Sequence, residues 1–214
     1  NGADADGVLG QPDFNTNLPG VGANKLYLPR GVAIQDDGTL WVADSSNHRV
    51  LRFNNAIGKA NGANADGVLG QVDFDSNTTA ANEYKIFMPT GIAIDSNGSL
   101  WVSASDHHRV LRFDNASAKP NGAAANGVLG QANFTSTSSN LAQDRFEYPT
   151  GIAIDDDNAV WVTDTKNNHV LRFNSLITQT IDFGPLSAKT FGDPPFSISA
   201  TATSGLPVSF TSLT

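Results

Sequence analysis

A repeat of 60 residues runs through most of this chain and constrains its fold more than any other feature. The copies align without gaps, as shown by residues at matching positions: Trp41, Trp101 and Trp161; Gly10, Gly70 and Gly130; Phe14, Phe74 and Phe134; Pro29, Pro89 and Pro149. Tandem copies of one unit usually bury their apolar surfaces by stacking on one another. The chain is therefore expected to be an array of similar units.

Within one copy the apolar residues alternate with a period of two, which indicates β-strands separated by turns. The first copy predicts strands at Gly31–Gln35, Leu40–Ala43, Val50–Phe53 and Gly67–Gln71, with polar turns such as Asp36-Asp37-Gly38 between them. Each unit is thus predicted to be a four-stranded antiparallel meander.

A sheet that is apolar on both faces can be covered by neighbours arranged around an axis, as in a β-propeller. We therefore predict an all-β fold, a β-propeller of four-stranded antiparallel blades, over residues 1–175. It contains an outer strand at 7–14 and repeats at about 29–74, 89–134 and 149–174. The alternative is a β-solenoid, but solenoid repeats are usually shorter.

The repeated core resembles the NHL-repeat family of propellers. The first copy carries the family's pattern at Pro29-Arg30-Gly31-Val32-Ala33-Ile34, Gly38, Trp41-Val42-Ala43-Asp44 and Asn47-His48-Arg49-Val50. A GVLGQ-x-x-F segment at 7–14, 67–74 and 127–134 resembles the long-period bacterial form.

Two positions depart from the pattern. Ala104 replaces the aspartate of Asp44 and Asp164, and His169 replaces the arginine of Arg49 and Arg109. We expect the aspartate and arginine to form a structural hydrogen-bonded pair between the second and third strands, intact only in the first copy.

The tail at 176–214 has a different character. Its segments at 179–183, 189–196 and 204–210 resemble the Ig-like repeats of bacterial surface and secreted proteins, and the chain ends before such a module would be complete. The resemblance implies a truncated Ig-like module and an extracellular or cell-surface location.

The charge and composition exclude several partners. There are 13 Lys and Arg against 21 Asp and Glu, a net charge of -8, which disfavours binding to nucleic acid. No apolar run is long enough to cross a bilayer, so no direct membrane insertion is expected. Cysteine is absent, which removes disulfides and thiolate metal sites.

The strand count suggests how a ring could close. The segment 7–14 is an outer strand without inner strands before it, while the third copy lacks an outer strand after Phe173. Propellers usually have about 4 to 8 blades. Either further blades precede this section in a longer protein, or two chains associate into a six-bladed ring.

The candidate ligand face lies where the turns between second and third strands meet the loops between copies. It comprises Tyr27, His48, Tyr84, Phe87, His107, His108, Phe146 and Tyr148. Long loops that differ over a constant frame suit a binding surface. The alternative is that these loops are ordinary connectors whose aromatic rings plug the blade edges. The turn histidines, with His169, are expected to lie too far apart to share a metal and to cap backbone groups instead.

We expect no cofactor, and the alternative is that the chain binds calcium. Asp4–Gly7 and Asn64–Gly67 resemble part of a calcium loop, but the third copy reads Ala124-Ala125-Asn126-Gly127 and loses the charge. Turns built on Asp or Asn side chains explain the same pattern.

The sequence thus predicts a non-enzymatic extracellular scaffold whose loop face binds a protein or a glycan. One alternative is a propeller enzyme of the lyase or lactonase type with a metal site in the channel, and another is a subunit of an extracellular fibre. The sequence disfavours the enzyme because the first strands read Val-Ala-Ile or Ile-Ala-Ile and offer no polar groups to the axis.

Overall fold

The computed structural model describes residues 2–174, 181–183, 199–202 and 208. It divides the chain into one compact unit at 1–174 and a second at 175–214. In the second unit β12 (Ile181–Phe183) pairs antiparallel with β13 (Ala200–Ala202). The rest of the predicted Ig-like module lies outside the described residues.

The first unit contains three antiparallel sheets, one for each copy. Blade 1 consists of β1 (Pro29–Ile34), β2 (Leu40–Asp44), β3 (Arg49–Phe53) and β4 (Gly67–Leu69), in that order. Blade 2 consists of β5 (Pro89–Ile94), β6 (Leu100–Ala104), β7 (Arg109–Phe113) and β8 (Gly127–Leu129). Blade 3 has β9 (Pro149–Ile154), β10 (Val160–Asp164) and β11 (His169–Phe173). The predicted all-β fold of four-stranded meanders is confirmed.

The fourth strand is shorter than predicted, and the outer strand predicted at 7–14 is not observed. Gly70 and Gly10 adopt positive φ values of 86° and 83°, so the chain turns immediately after the GVL segments. In the described structure residues 7–9 have no neighbouring strand to pair with, although Val8 bonds to Asn61 and Gly62 as Val68 of β4 bonds to Asn121 and Gly122. A strand needs a partner to form its ladder, which explains the difference.

The blades stack through their first strands, since β1 lies beside β5 and β5 lies beside β9. The approach is close enough to require glycine: a Cβ on Gly31 would lie 2.3 Å from the carbonyl oxygen of Thr90, and one on Gly91 would lie 2.1 Å from that of Thr150. Glycine at these positions therefore allows the backbones of adjacent blades to meet.

Apolar side chains fill the spaces between the sheets. Trp41, Val50 and Leu69 of blade 1 pack with Ile92, Val102 and Leu111 of blade 2 in one cluster. The equivalent cluster between blades 2 and 3 contains Trp101, Val110, Val160 and Val162, with Phe146 from the preceding loop.

The three tryptophans occupy similar surroundings, as the repeat predicts. Each indole N–H donates to the side chain six residues earlier, at 3.0 Å for Trp41 and Trp101 and 2.8 Å for Trp161. Each ring also lies beneath an arginine guanidinium of the adjacent third strand. Their exposure differs, since Trp161 is 37% exposed and Trp41 is 1% exposed.

Candidate functional site

The candidate site is one end of the blades, called here the turn end. It collects the start of each first strand, the short 3-10 turns at Ser45–Asn47, Ser105–His107 and Thr165–Asn167, and the loops that lead from one blade to the next. The residue after each turn is in the left-handed conformation: His48, His108 and Asn168, with φ of 55°, 51° and 59°. This geometry starts each third strand immediately after its turn.

A buried carboxylate organises the turn end of blade 1. Asp44 accepts hydrogen bonds from the backbone N–H of Tyr27 at 2.6 Å, from Asn47 at 2.8 Å and from Arg49 Nε at 2.8 Å. Asp44 and Arg49 are both 0% exposed. The expected structural pair between the second and third strands is present, and its other contacts tie the loop before β1 to the blade.

Blade 3 keeps this arrangement with a different cation. Asp164 accepts from the backbone N–H of Glu147 at 2.6 Å and from Asn167 at 2.8 Å. His169 Nε2 lies 2.8 Å from the same carboxylate, in the place of arginine. In both blades the aspartate thus forms a hydrogen bond with the loop that precedes the first strand.

Blade 2 retains the arginine without the aspartate. Arg109 is 0% exposed and donates through its terminal nitrogens to the carbonyls of Asn82, Lys85 and Phe134, but its Nε has no partner in the described structure. Burial lowers the pKa of Arg109 to about 10. Burial, with the nearby positive charge of Arg109, lowers the pKa of His107 to about 4.

Two histidines accept hydrogen bonds from the blade that follows them. His48 Nδ1 accepts from the backbone N–H of Met88 at 3.4 Å, and His108 Nδ1 accepts from that of Tyr148 at 3.1 Å. Burial lowers the pKa of both imidazoles. Each neutral ring therefore carries its proton on Nε2 and acts as a connector between blades instead of a general base through Nδ1.

The aromatic and histidine residues of the predicted ligand face separate into three environments. The ring of Phe87 lies edge-on between His48 and His107, with centroid distances of 4.9 and 5.2 Å. Tyr27 and Tyr84 are 44% and 50% exposed. The ring of Tyr148 lies beneath the ammonium of Lys166, at 5.1 Å.

Phe146 does not belong to that surface. It is 0% exposed and its ring covers Gly130, which has no side chain to collide with it. Leu26 and Ile86 cover Gly10 and Gly70 in the same manner. The aromatic ring therefore packs in the core, where it cannot meet a ligand at the surface of these blades.

Hydroxyl groups line the first strands at the turn end, and they also join the blades. Ser45 donates to the carbonyl of Pro89, and Ser105 donates to that of Pro149 at 2.6 Å. Thr90 lies 2.7 Å from Ser105, oxygen to oxygen. The position of Thr90 is Thr150 in blade 3 and Arg30 in blade 1, and Arg30 is exposed.

Sequence analysis missed Arg30 as a candidate functional residue. The available signal was the change from Pro-Arg-Gly to Pro-Thr-Gly between otherwise similar copies. Within the described residues Arg30 forms no ion pair, so its guanidinium is available to an anion.

The segments that resemble calcium loops serve local contacts in this structure. Asp66 accepts from the backbone N–H of Asn54 at 2.7 Å and lies 2.9 Å from Lys59 Nζ. In blade 2 the neutral Asn126 accepts from the backbone N–H of Asp114 at 3.0 Å. Among the described residues, no group of three or more His, Cys, Asp or Glu side chains is placed to hold a metal ion.

Comparison with known proteins identifies the repeats. The NHL repeat model matches residues 26–53, 88–113 and 146–173, so the chain carries three NHL repeats. Solved structures similar to this chain are β-propeller-like, but bacterial origin and an Ig-like tail are not tested by these matches.

One curated relative is named a probable peptidyl-alpha-hydroxyglycine alpha-amidating lyase, from Caenorhabditis elegans. The two are 25% identical over 160 residues, which cover 74% of this chain and 40% of the relative. The chain therefore spans well under half the length of the curated relative that it matches.

Three solved structures are similar to this chain. A gluconolactonase from Xanthomonas campestris is 20% identical, with 68% of this chain and 36% of that chain covered and a TM-score of 0.42. A luciferin-regenerating enzyme is 16% identical, with 72% and 47% covered and a TM-score of 0.45. A virginiamycin B lyase from Staphylococcus aureus is 17% identical, with 75% and 44% covered and a TM-score of 0.42.

The similarity to a curated relative that is named a lyase contradicts the expectation of a non-enzymatic scaffold. The argument against an enzyme assumed that the Val-Ala-Ile segments show what faces the axis. In the structure Ile92 and Ile152 pack between blades, so their apolar character reflects stacking and not the chemistry of the axis.

Proposed function

We propose that these three blades form part of a β-propeller enzyme, a lyase that cleaves the N–C bond of a peptide ending in α-hydroxyglycine. The observation that carries this proposal is the 25% identity over 160 residues to the amidating lyase. The solved structures add nothing to the argument for this reaction, and the choice of substrate depends on the curated relative alone.

The chemistry of this substrate defines what a site must provide. The hydroxyl group loses its proton and becomes a carbonyl, the bond from that carbon to the amide nitrogen breaks, and the nitrogen takes up a proton. The products are a peptide amide and glyoxylate. Because the substrate ends in a carboxylate, a cation that binds this group would position the scissile bond.

Arg30 is the residue that we assign to the substrate carboxylate. It is exposed at the turn end of a first strand and forms no ion pair in the part of the chain that is described. A guanidinium binds a carboxylate through two parallel hydrogen bonds, which fixes orientation as well as position. We assign no proton transfer to His48 or His108, whose Nδ1 atoms are occupied by backbone N–H groups.

The metal site considered for an enzyme of this fold does not fit these three blades. The first strands carry Arg30, Thr90 and Thr150 at the turn end, and no group of three or more His, Cys, Asp or Glu side chains in the described part of the chain is placed to hold a metal ion. Guanidinium and hydroxyl groups are poor ligands for the transition metals that histidine and thiolate favour. No step of the proposed reaction is therefore assigned to a metal held by the described residues.

A ring with more blades would cover the apolar residues that blades 1 and 3 leave exposed. Val32 and Ile34 are each 67% exposed on blade 1, and Val170 is 55% exposed on blade 3. The matching Ile92 and Val110 of blade 2 are 6% and 0% exposed, because blades cover them on both sides. We propose that a second copy of the chain covers these faces when no other blade does, which light scattering of the purified protein would detect as a dimer.

The test of function uses the purified chain and a short peptide ending in α-hydroxyglycine. Glyoxylate and peptide amide are followed by mass spectrometry against a protein-free blank, since the substrate also decomposes without enzyme. The expected result is release above the blank, with KM raised roughly 10-fold or more in Arg30→Thr, which copies the residue of the other two blades. If neither the monomer nor the dimer releases more glyoxylate and peptide amide than the blank, the proposal is overturned.

A further inference from the structure

We propose that blade 2 contains a buried binding site for a small monovalent anion, at the position that the carboxylate of Asp44 occupies in blade 1. The ligand would be formate, chloride or another anion of that size. This inference is independent of the proposed enzyme activity, since it depends only on a comparison of the three blades within one chain.

The backbone at the site is the same in all three blades. Asp44 has φ and ψ of -90° and 78°, Ala104 has -92° and 80°, and Asp164 has -92° and 81°. The residue that follows begins the same 3-10 turn in each case. Replacing aspartate by alanine has therefore removed a carboxylate without changing the conformation that positioned it.

The arginine that faced this carboxylate is also in the same place. Arg49 Nη2 donates to the carbonyls of Gly22 and Lys25 at 2.8 and 3.0 Å. Arg109 Nη2 donates to the carbonyls of Asn82 and Lys85, the matching residues, at 2.9 and 3.0 Å. Because both guanidinium groups are held by the same carbonyls, Arg109 Nε points to the place where blade 1 has a carboxylate oxygen.

The polar groups that remain in blade 2 lack the carboxylate that their counterparts contact in blade 1. Arg109 Nε and His107 Nδ1 are both buried without a partner in the described structure, and their residues are 0% and 8% exposed. His107 occupies the position of Asn47, which donates to Asp44. The backbone N–H of Phe87 is the counterpart of Tyr27 N–H, which also donates to that carboxylate.

Charge favours an anion over a water molecule at this place. Arg109 is fully buried, and no carboxylate lies within ion-pair distance of it among the described residues. A buried cation without a counter-ion is strongly destabilising. Water would accept the hydrogen bonds but would leave the charge uncompensated, whereas a monovalent anion satisfies both.

The missing group sets the size of the ligand. The side chain of aspartate exceeds that of alanine by one carbon and two oxygens in a plane, and formate has the same three heavy atoms. A divalent tetrahedral anion such as sulfate has five heavy atoms and is larger than the missing group. Entry requires local opening beside His107, because the site is otherwise closed to solvent.

Arginine side-chain resonances provide the test, with formate as the probe. In spectra of the ¹⁵N-labelled chain at constant ionic strength, the Nε–H signal of Arg109 should shift saturably as formate replaces sulfate. The Nε–H signal of Arg49, which already has its carboxylate, should stay in place and serves as the internal control. A chloride titration distinguishes a general monovalent site from one that prefers carboxylates.

Ala104→Asp supplies the second arm, because it restores the carboxylate within the chain. The unsubstituted chain should gain melting temperature with formate until the site is full, whereas Ala104→Asp should start from a higher melting temperature and gain none. If the Arg109 signal does not move, or if both proteins respond equally to formate and to ionic strength, the proposed site does not exist.

Discussion

The close approach of the first strands predicts that one methyl group on Gly91 will destabilise the stacked blades. A Cβ there would lie 2.1 Å from the carbonyl oxygen of Thr150 and 2.9 Å from the backbone nitrogen of Ile152. Ordinary contacts of a Cβ begin at 3.4 Å, so the neighbouring backbone has to move by more than 1 Å. Overpacking of this kind costs about 1 to 3 kcal/mol, and we expect the upper end because backbone cannot rotate away.

The matched control is Gly151→Ala, which has the same sequence position in blade 3. The nearest atom to its Cβ would be Thr163 Oγ1 at 3.1 Å, a side chain of the same blade that can adjust. We therefore expect Gly151→Ala to cost less than about 1 kcal/mol. Replacing glycine by alanine also lowers the conformational entropy of the unfolded chain, and this stabilising effect is the same for both substitutions.

Thermal unfolding of the monomeric fraction, followed by circular dichroism, separates the two variants. A loss of about 3 kcal/mol in a chain of this size corresponds to roughly 6 to 12 °C in melting temperature for Gly91→Ala. The control should lose no more than a few degrees. Equal losses in the two variants would refute the claim that first strands of adjacent blades meet through these glycines.

Three further predictions concern single side chains. Asp44→Ala leaves the buried Arg49 without its carboxylate and should cost about 3 to 5 kcal/mol in denaturant unfolding, against less than about 1 kcal/mol for the exposed turn variant Asp37→Ala. His107 has a pKa of about 4 in the fold and 6.5 as its reference, so the unfolded state binds more protons between these pH values and stability falls as pH falls through that window. His107→Asn should reduce this loss by about 2 kcal/mol in unfolding curves at pH 7 and pH 4, and an unchanged pH dependence would contradict the assigned burial. Acrylamide should quench Trp161 more than the other tryptophans of the monomer, and Trp161→Phe should remove most of the quenchable emission, whereas equal quenching of the variant would contradict the open face of blade 3.

The repeat predicted the architecture because each structural requirement recurs at the same spacing. Period-two patterns between turns gave the strand order of each blade, and Trp41, Trp101 and Trp161 indeed have similar surroundings. Strand ends were less predictable, since Pro29 and Asp44 extend the first two strands beyond the predicted limits. The end of the fourth strand depends on the positive φ of Gly70, which composition alone does not reveal.

The site was harder to predict because a loop residue can face either solvent or core. Phe146 was assigned to the ligand face as an aromatic residue in a variable loop. Its counterparts Leu26 and Ile86 are also apolar, and this recurrence could have shown that the position is buried over a glycine. The change to Ala104 in the sequence could have predicted that Arg109 lacks a carboxylate partner. The proposed anion site could be inferred only from the structure, which shows the carbonyls that hold the guanidinium in place.

The extracellular location, the protein or glycan partner and the Ig-like identity of 176–214 stay predictions from sequence. Among the described residues no helix is long and apolar enough to cross a membrane. The prediction that the chain is not an enzyme is wrong, because the chain is similar to a named lyase. It was made because the first strands of the blades carry apolar Val-Ala-Ile or Ile-Ala-Ile segments. Their apolar side chains stabilise the stack, while Arg30 at the strand end carries the exposed charge.

Nuclear Overhauser effects between α-protons of the first-strand glycines test the stacking of blades most directly. A Cβ of Gly31 would lie 3.4 Å from Gly91 Cα, and a Cβ of Gly91 would lie 3.0 Å from Gly151 Cα, so the α-protons that occupy these directions are close in space. The stacked blades predict strong effects from Gly31 to Gly91 and from Gly91 to Gly151, each across 60 residues of sequence. Strong effects within each sheet but none between these glycines would contradict the propeller.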